Sequence, residues 1–203
     1  MKNKNKNAFT LAEVLITLGI IGVIAAMTLP SLIDNIQRED YTAKLKKFNA
    51  NMGQALVSAE NEFGPISDWD FNLPINKFVE TYLGQFLKFQ IMNKYSNDAT
   101  SALLFPDGTT MELHKGSCMD MYFDVNGTKK PNKHGYDQFG FLACPLTHSS
   151  FYCGEEKNFC TYGYNYQRNS RATSIETCKT HPETCATLLQ IDNWEFKKDY
   201  PFK

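Results

Sequence analysis

The chain has 203 residues, of which 42% are hydrophobic and 21% are charged, and its formal net charge is -1. This length suits one globular domain with room for an appended segment. Apart from the lysines at positions 2, 4 and 6, no basic stripe is present, so no nucleic-acid partner is indicated.

The N-terminal segment joins a short basic leader to a long apolar run. Val14 to Ile33 contains no charged residue, and about 20 residues suffice to cross a bilayer as a helix. A secretory signal peptide has a shorter apolar core with a small-residue cleavage site after it, whereas "MTLPSLID" follows this run. Lysines ahead of the run are expected to stay in the cytoplasm. A plain signal anchor also fits the length, but it leaves the carboxylate of Glu13 without a use.

The stretch "AFTLAEVLITLGIIGVIAAMTLPSLI" resembles the N-terminus of type IV pilins and of the pseudopilins of type II secretion. These proteins share a basic leader, a small residue, Phe-Thr-Leu, a glutamate and a long apolar run. The resemblance implies that a prepilin peptidase cuts between Ala8 and Phe9 and methylates the new amine of Phe9. Family leaders usually end in Gly, so Ala8 departs from the pattern, and slower processing is expected at worst. Pro30 stands where many pilins carry a helix-kinking proline.

Glu13 is the residue whose role the resemblance defines most sharply. It lies at i+4 from Phe9 and therefore on the same face of a helix that includes both. By the resemblance, the ammonium of Phe9 on one subunit pairs with the Glu13 carboxylate of a neighbour during assembly. A lone charge among apolar residues is costly, whereas a paired one is tolerated. The alternative is an interfacial glutamate whose carboxylate reaches the lipid headgroups.

Apolar residues continue past the membrane-length run at helical spacing. One face of an amphipathic helix is indicated by Tyr41, Leu45, Phe48, Met52, Leu56 and Ala59. Gly64-Pro65 ends this pattern, and a gentle break is expected at Pro30. We therefore expect a leader at residues 1–8, a transmembrane and polymerisation helix at 9–33, its amphipathic continuation at 34–64, and an extracytoplasmic head domain at 65–203.

The head domain is predicted to combine a short helix with a sheet. "NLPINKFVETYLGQFL" predicts the helix, with Asn72 as its cap and Pro74 in its first turn. "SALLF", the turn "PDG" and "TTMEL" predict a hairpin, and "MDMYFDV" and "QFGFLA" predict further strands. The C-terminal region is expected to be mostly loop, with one helical turn near "ETCATLLQ". The predicted fold class is α+β and pilin-like, with the long helix packed on an antiparallel sheet of about four strands.

All six cysteines lie in the C-terminal half, at Cys118, Cys144, Cys153, Cys160, Cys178 and Cys185. An even number of cysteines, in a half of the chain that is rich in Gly, Asn and Tyr, predicts disulfides and an oxidising compartment. A reduced cytosolic domain is the alternative. Zinc is a second alternative, with His148 or His181 between cysteines, although no common paired C-x-x-C pattern is present. We expect local bridges between the close pairs, Cys153–Cys160 and Cys178–Cys185, which leaves Cys118 and Cys144 for each other.

The segment "DVNGTKKPNKHGYDQFGF" holds the densest set of oxygen ligands in the chain. Counted from Asp124, it lacks the Gly and Glu that an EF-hand needs at loop positions 6 and 12. Its D-x-N-G arrangement resembles loops in pilin-like head domains, and some pseudopilins bind calcium in such a loop. Asp124, Asn126 and Asp137 are therefore candidate calcium ligands. The alternative is a structural turn in which Asp124 and Asn126 bond to nearby backbone N–H groups and Gly127 has a positive φ.

No catalytic motif of the common kinds is present, so we expect no enzyme activity and no cofactor other than calcium. The resemblance implies a structural subunit of a type II secretion pseudopilus or a type IV pilus. Its partners would be the prepilin peptidase, other pilin or pseudopilin subunits and the inner membrane. The N-terminus is expected in the cytoplasm, and the head domain in the periplasm or outside the cell. The competing class is a membrane-anchored extracytoplasmic binding protein or enzyme that keeps its leader and never polymerises.

Overall fold

The computed structural model describes residues 10–92, 94–95, 98–145, 153, 157–163 and 170–202. The predicted cleavage and methylation site, Ala8 and Phe9, lies outside these residues, as does His148. The chain divides into two structural units between Asp40 and Tyr41. Residues 41–64 of the predicted amphipathic continuation therefore belong to the same unit as the predicted head domain, whereas residues 34–40 belong to the first unit.

The long N-terminal helix, α1, spans Leu11–Phe63 and contains 53 residues. It begins in the first unit and ends in the second, as expected from the continuous apolar and amphipathic pattern. Pro30 lies inside α1. The expected break there does not interrupt the helix, which continues on both sides of the proline.

The sheet of the second unit has six antiparallel strands rather than about four. The strands are β1 Gln90–Met92, β2 Thr100–Leu104, β3 Thr110–Lys115, β4 Met119–Asp124, β5 Gln138–Ala143 and β6 Phe159–Thr161. Their order in the sheet follows their order in the chain. The sequence predicted β2 to β5, and it missed the two edge strands because three residues are too few to show an alternating pattern.

The core lies between this sheet and the part of α1 that belongs to the second unit. The inward side chains of the central strands are Met111, Leu113, Met121, Phe123, Phe139 and Phe141, all buried. Every apolar position predicted for the amphipathic helix face is also buried. Phe48 of α1 stacks on Phe123 of β4, with ring centroids 4.0 Å apart. The predicted packing of the helix on the sheet is therefore confirmed.

The second helix, α2, spans Ile75–Leu83 and buries five of its apolar side chains. The predicted cap was wrong, because Pro74 occupies the N-cap position and no side chain caps the helix. Asn72 instead lies in the preceding turn, where its backbone N–H donates to Asp70 Oδ1 at 3.0 Å. Trp69 of the same segment stacks on Tyr82 of α2 with ring centroids 4.4 Å apart.

The C-terminal region contains two helices, α3 at Arg171–Thr180 and α4 at Cys185–Ile191, where the sequence predicted one helical turn. Helix α3 was missed because only Ser174 and Cys178 are buried, so it has almost no apolar periodicity. Three disulfides lie in this half of the chain, as expected. They join Cys118 to Cys144, Cys153 to Cys160 and Cys178 to Cys185, which are the pairs named from the sequence.

Candidate functional site

The first turn of α1 places Glu13 in a reciprocal pair of hydrogen bonds with Thr10. The backbone N–H and the hydroxyl of Thr10 both donate to Glu13 Oε2 at 2.8 Å. The backbone N–H of Glu13 donates in return to Thr10 Oγ1 at 3.3 Å. This is a capping box, in which a Thr and a Glu three residues later satisfy the free N–H groups at a helix start. The sequence reading missed Thr10, although the T-x-x-E pattern that signals a capping box is present.

The side chains around Glu13 in the first unit are apolar and exposed. They include Leu11, Val14, Leu15, Ile16, Leu18, Ile20, Ile21, Val23, Ile24, Met27, Leu29, Leu32 and Ile33. Glu13 is the one charged residue between Leu11 and Ile33. A helix that is apolar on all sides is suited to lipid or to burial against other helices.

The hydroxyl groups of the apolar stretch are satisfied within the helix. Thr17 donates to the carbonyl oxygen of Val14 and Thr28 to that of Ile24, each at 3.0 Å. Ser31 donates to the carbonyl oxygen of Thr28 at 2.9 Å. Such bonds allow hydroxyl side chains to enter hydrocarbon without an unpaired donor. The carboxylate of Glu13 is therefore the group in this stretch that gains most from a partner on another chain.

Among the described residues, α1 is the one helix long and apolar enough to cross a membrane. Its apolar first part fits a single-pass anchor in the inner membrane.

The predicted calcium ligands come together in the loop between β4 and β5. The side-chain amide of Asn126 donates to Asp137 Oδ2 at 3.0 Å, and the backbone N–H of Asn126 donates to Asp124 Oδ1 at 3.1 Å. Asp137 also accepts from the backbone N–H groups of Asn132 and Lys133, at 2.9 and 2.7 Å. Gly127 has φ +73°. The bond to Asp124 and the positive φ of Gly127 match the structural turn that stood as the alternative to a calcium site, whereas the side chain of Asn126 donates to Asp137 instead of bonding to a backbone N–H group.

Two acidic side chains are nevertheless buried in this loop. Asp124 is 3% exposed and Asp137 is 1% exposed. Burial, together with the nearby charge of Asp137, raises the pKa of Asp124 to about 6. Among the described residues, nothing donates to the buried Oδ1 of Asn126. The described part of the chain contains no cluster of three His, Cys, Asp or Glu side chains arranged to hold a metal, so calcium binding stays a prediction.

The cysteines do not form a metal site, because all six are joined in disulfides. The zinc alternative was therefore wrong for any site that uses a cysteine thiolate. His181, which lies between two of these cysteines, has its Nδ1 atom 3.4 Å from Glu183 Oε1.

Comparison with known families agrees with this architecture. The prokaryotic N-terminal methylation motif matches residues 3–29, which include Glu13 and most of the apolar stretch. Together with the long apolar helix α1, which begins inside the motif, this match defines a type IV pilin-like protein. Such a protein is a pilin- or pseudopilin-type precursor with an N-terminal transmembrane helix. The motif implies processing by a prepilin peptidase and assembly with other pilin subunits, and it points to a structural protein.

The remainder of the chain defines its particular family. Residues 31–203 match the family of unknown function DUF6613, and the chain belongs to that family. No curated protein and no solved structure matches the chain.

Proposed function

We propose that this protein is a structural subunit of a filament assembled from the inner membrane, either a type II secretion pseudopilus or a type IV pilus. The observation that carries the proposal is the methylation motif at residues 3–29, which includes Glu13, the one charged residue between Leu11 and Ile33 of α1. Cleavage between Ala8 and Phe9 would create an amine four residues before Glu13. The enzyme that cuts would also methylate Phe9.

Pairing between the Phe9 ammonium of one subunit and the Glu13 carboxylate of its neighbour would favour subunits that join the filament in register. An unpaired carboxylate in the hydrocarbon costs roughly 2.5–3.5 kcal/mol at the centre of the bilayer, and less near its edge. Among the described residues, both Thr10 donors bond to Glu13 Oε2 and no donor bonds to Oε1, which is the oxygen proposed to accept from the Phe9 ammonium of a neighbouring subunit. A charged pair is cheaper to bury than either charge alone, so a subunit added in register would be favoured over one added out of register.

Two independent features support the proposed orientation in the membrane. The lysines at positions 2, 4 and 6 favour a cytoplasmic N-terminus. The three disulfides require an oxidising compartment, which the periplasm or the cell exterior provides. The second structural unit is therefore proposed to lie beyond the inner membrane and to form the surface of the filament.

The proposal is tested by the variants Glu13→Ala and Glu13→Asp. We expect the wild-type mature chain to begin with N-methylated Phe9 in an intact-mass measurement. Glu13→Ala should still lose its leader but should fail to form filaments in electron microscopy, and Glu13→Asp should form fewer than the wild type. Glu39→Ala, which removes an exposed glutamate from the same helix, is the matched control and should assemble normally.

One result would contradict the pairing of subunits through Glu13, and a second would contradict the proposed function itself. Filaments of wild-type abundance from Glu13→Ala would show that the carboxylate has no part in assembly. A cell-derived protein that still begins at Met1 and forms no filaments would favour the competing class, a membrane-anchored extracytoplasmic binding protein or enzyme.

A further inference from the structure

A small cavity with a volume of about 10 Å³ lies in the second unit, where α3 meets the turn after β6 and the start of α4. Four of the five described residues that line it carry hydroxyl groups, and the fifth is a glycine. They are Gly163, Ser174, Thr177, Thr184 and Thr187. A space of about 10–15 Å³ suffices for one water molecule. The cavity therefore has the size of a single water and a polar wall.

Ser174 is the hydroxyl residue of this wall that lacks a hydrogen bond. Its side chain is buried, with 5% of the residue exposed. Among the described residues, none bonds to Ser174 Oγ. A buried hydroxyl without a partner is unfavourable, and cavities that stay dry are lined by apolar groups instead. Ser174 therefore presents an unused hydrogen at the cavity.

Two of the threonines can act only as acceptors towards the cavity. The Thr177 hydroxyl donates to the carbonyl oxygen of Thr173 at 2.9 Å, and the Thr184 hydroxyl donates to that of His181 at 2.8 Å. A hydroxyl has one hydrogen, so any further bond to these two oxygens uses their lone pairs. The cavity thus combines one donor, from Ser174, with two acceptors.

We propose that a structural water molecule binds in this cavity. The water accepts a hydrogen bond from Ser174 Oγ and donates its two hydrogens to Thr177 Oγ1 and Thr184 Oγ1. Three hydrogen bonds are the usual number for a buried water. A monovalent cation fits less well, because no charged side chain is among the described residues that line the cavity and a cation leaves the Ser174 hydrogen unused.

The bound water supplies a polar contact to a helix with little apolar packing. Ser174 and Cys178 are the buried residues of α3, and Cys178 is joined to Cys185 at the start of α4. The water adds a second link between α3 and the start of α4, beside that disulfide. This site lies in the second unit and does not depend on how the first unit assembles, so its test is separate from that of the proposed function.

A crystal structure of the full-length protein in detergent tests the site directly. We expect one peak of water density at about 2.5–3.0 Å from each of Ser174 Oγ, Thr177 Oγ1 and Thr184 Oγ1. A well-ordered cavity without this peak would overturn the proposal. A Ser174 hydroxyl that bonds instead to a carbonyl oxygen of its own helix would overturn it as well.

A double-mutant cycle tests whether the water couples Ser174 to Thr184, which share no direct hydrogen bond. Ser174→Ala and Thr184→Val each remove one partner of the water. Because either change already weakens its binding, the double variant should lose about 2–4 °C less in Tm than the sum of the two single losses. The higher helix propensity of alanine cancels in the cycle.

The matched control cycle combines Ser174→Ala with Thr180→Val, at an exposed threonine of α3 that is not among the residues lining the cavity. Its two effects on Tm should add, and equal behaviour of the two cycles would overturn the water bridge. Melting in sodium chloride and in choline chloride at equal ionic strength should give the same Tm. A lower Tm in choline chloride that Ser174→Ala abolishes would show that sodium occupies the cavity instead of water.

Discussion

At the scale of single residues, the loop between β4 and β5 shows how burial changes the pKa of a side chain, that of Asp124. The raised pKa of Asp124, about 6, means that the folded protein holds this proton more tightly than the unfolded chain does. The free energy of unfolding contributed by Asp124 is then greatest below its ordinary pKa, near pH 4, and it is lost as pH rises to about 6. The raised pKa thus makes the ionised carboxylate a source of instability at neutral pH.

The first prediction at this scale concerns pH. Between pH 4.5 and pH 7, in EDTA, we expect the free energy of unfolding of the wild type to fall by on the order of 1–3 kcal/mol. Asp124→Asn should abolish most of this fall and raise Tm at pH 7, because the neutral amide is not repelled by Asp137. Thermal unfolding followed by circular dichroism measures both effects. The exposed Asp98→Asn is the control, and a pH dependence in Asp124→Asn equal to that of the wild type would contradict the assignment.

The second prediction concerns calcium at the same loop. Calcium binds oxygen ligands, and a carboxylate must lose its proton before it can serve. If Asp124, Asn126 and Asp137 are ligands, millimolar calcium at pH 7 should raise the Tm of the wild type by several degrees and should not raise that of Asp124→Asn. An unchanged wild-type Tm on adding calcium would leave the loop as a turn held by the protein's own hydrogen bonds.

At the scale of elements, the C-terminal segment is held to α3 by one arginine. Arg171, the first residue of α3, donates to both carboxylate oxygens of Asp192, at 2.6 and 2.9 Å, and to both oxygens of Asp199, at 2.8 and 2.7 Å. Asp192 follows α4 directly, and its side chain is 3% exposed. Bonds from Arg171 lower the pKa of Asp199 to about 2. This network joins α3, α4 and the last residues of the chain.

We predict that Arg171→Met lowers the free energy of unfolding by about 1–3 kcal/mol, because Asp192 stays buried with Lys197 as its remaining partner. Chemical denaturation at pH 7 gives the value. Lys179→Met on the same helix removes an exposed ion pair with Glu176 and should cost less than about 0.5 kcal/mol. Equal losses of unfolding free energy from the two variants would show that the Arg171 network stabilises the protein no more than an exposed ion pair does.

Prediction from the sequence succeeded where residue pattern alone determines an element. The amphipathic face from Tyr41 to Ala59 predicted the buried side of α1, and the "PDG" turn predicted the β2–β3 hairpin, where Gly108 has φ +82°. It failed for β1, β6 and α3, whose formation depends on neighbouring strands and on disulfides. At the candidate site, the role expected of Glu13 came from the family resemblance. Its bonds to Thr10 were not predicted, although the spacing of the two residues permits them.

At the scale of the whole molecule, the charged residues and the disulfides are concentrated in the second unit. Charged residues are almost absent from the first part of α1 and are frequent in the second unit. The disulfides lie in that unit, where Cys118, Cys144, Cys153 and Cys160 form a small cluster with Leu142, and the Cys178–Cys185 bridge belongs to the main core. We infer that the first unit provides the contact with lipid and with neighbouring helices, and that the second provides a rigid surface.

The order of strands in the sheet has a consequence for how the chain acquires its fold. Each strand from β2 to β6 pairs with the strand that precedes it in the chain, so no strand depends on a distant segment for its first pairing. Sheets built from such local contacts fold quickly, because little loop-closure entropy opposes each pairing. The part of α1 from Tyr41 to Phe63 precedes all six strands, so its apolar face is already present when each strand joins the sheet. Cys118 and Cys144 flank the paired strands β4 and β5, so their disulfide can form as soon as β5 has joined the sheet and before β6 does.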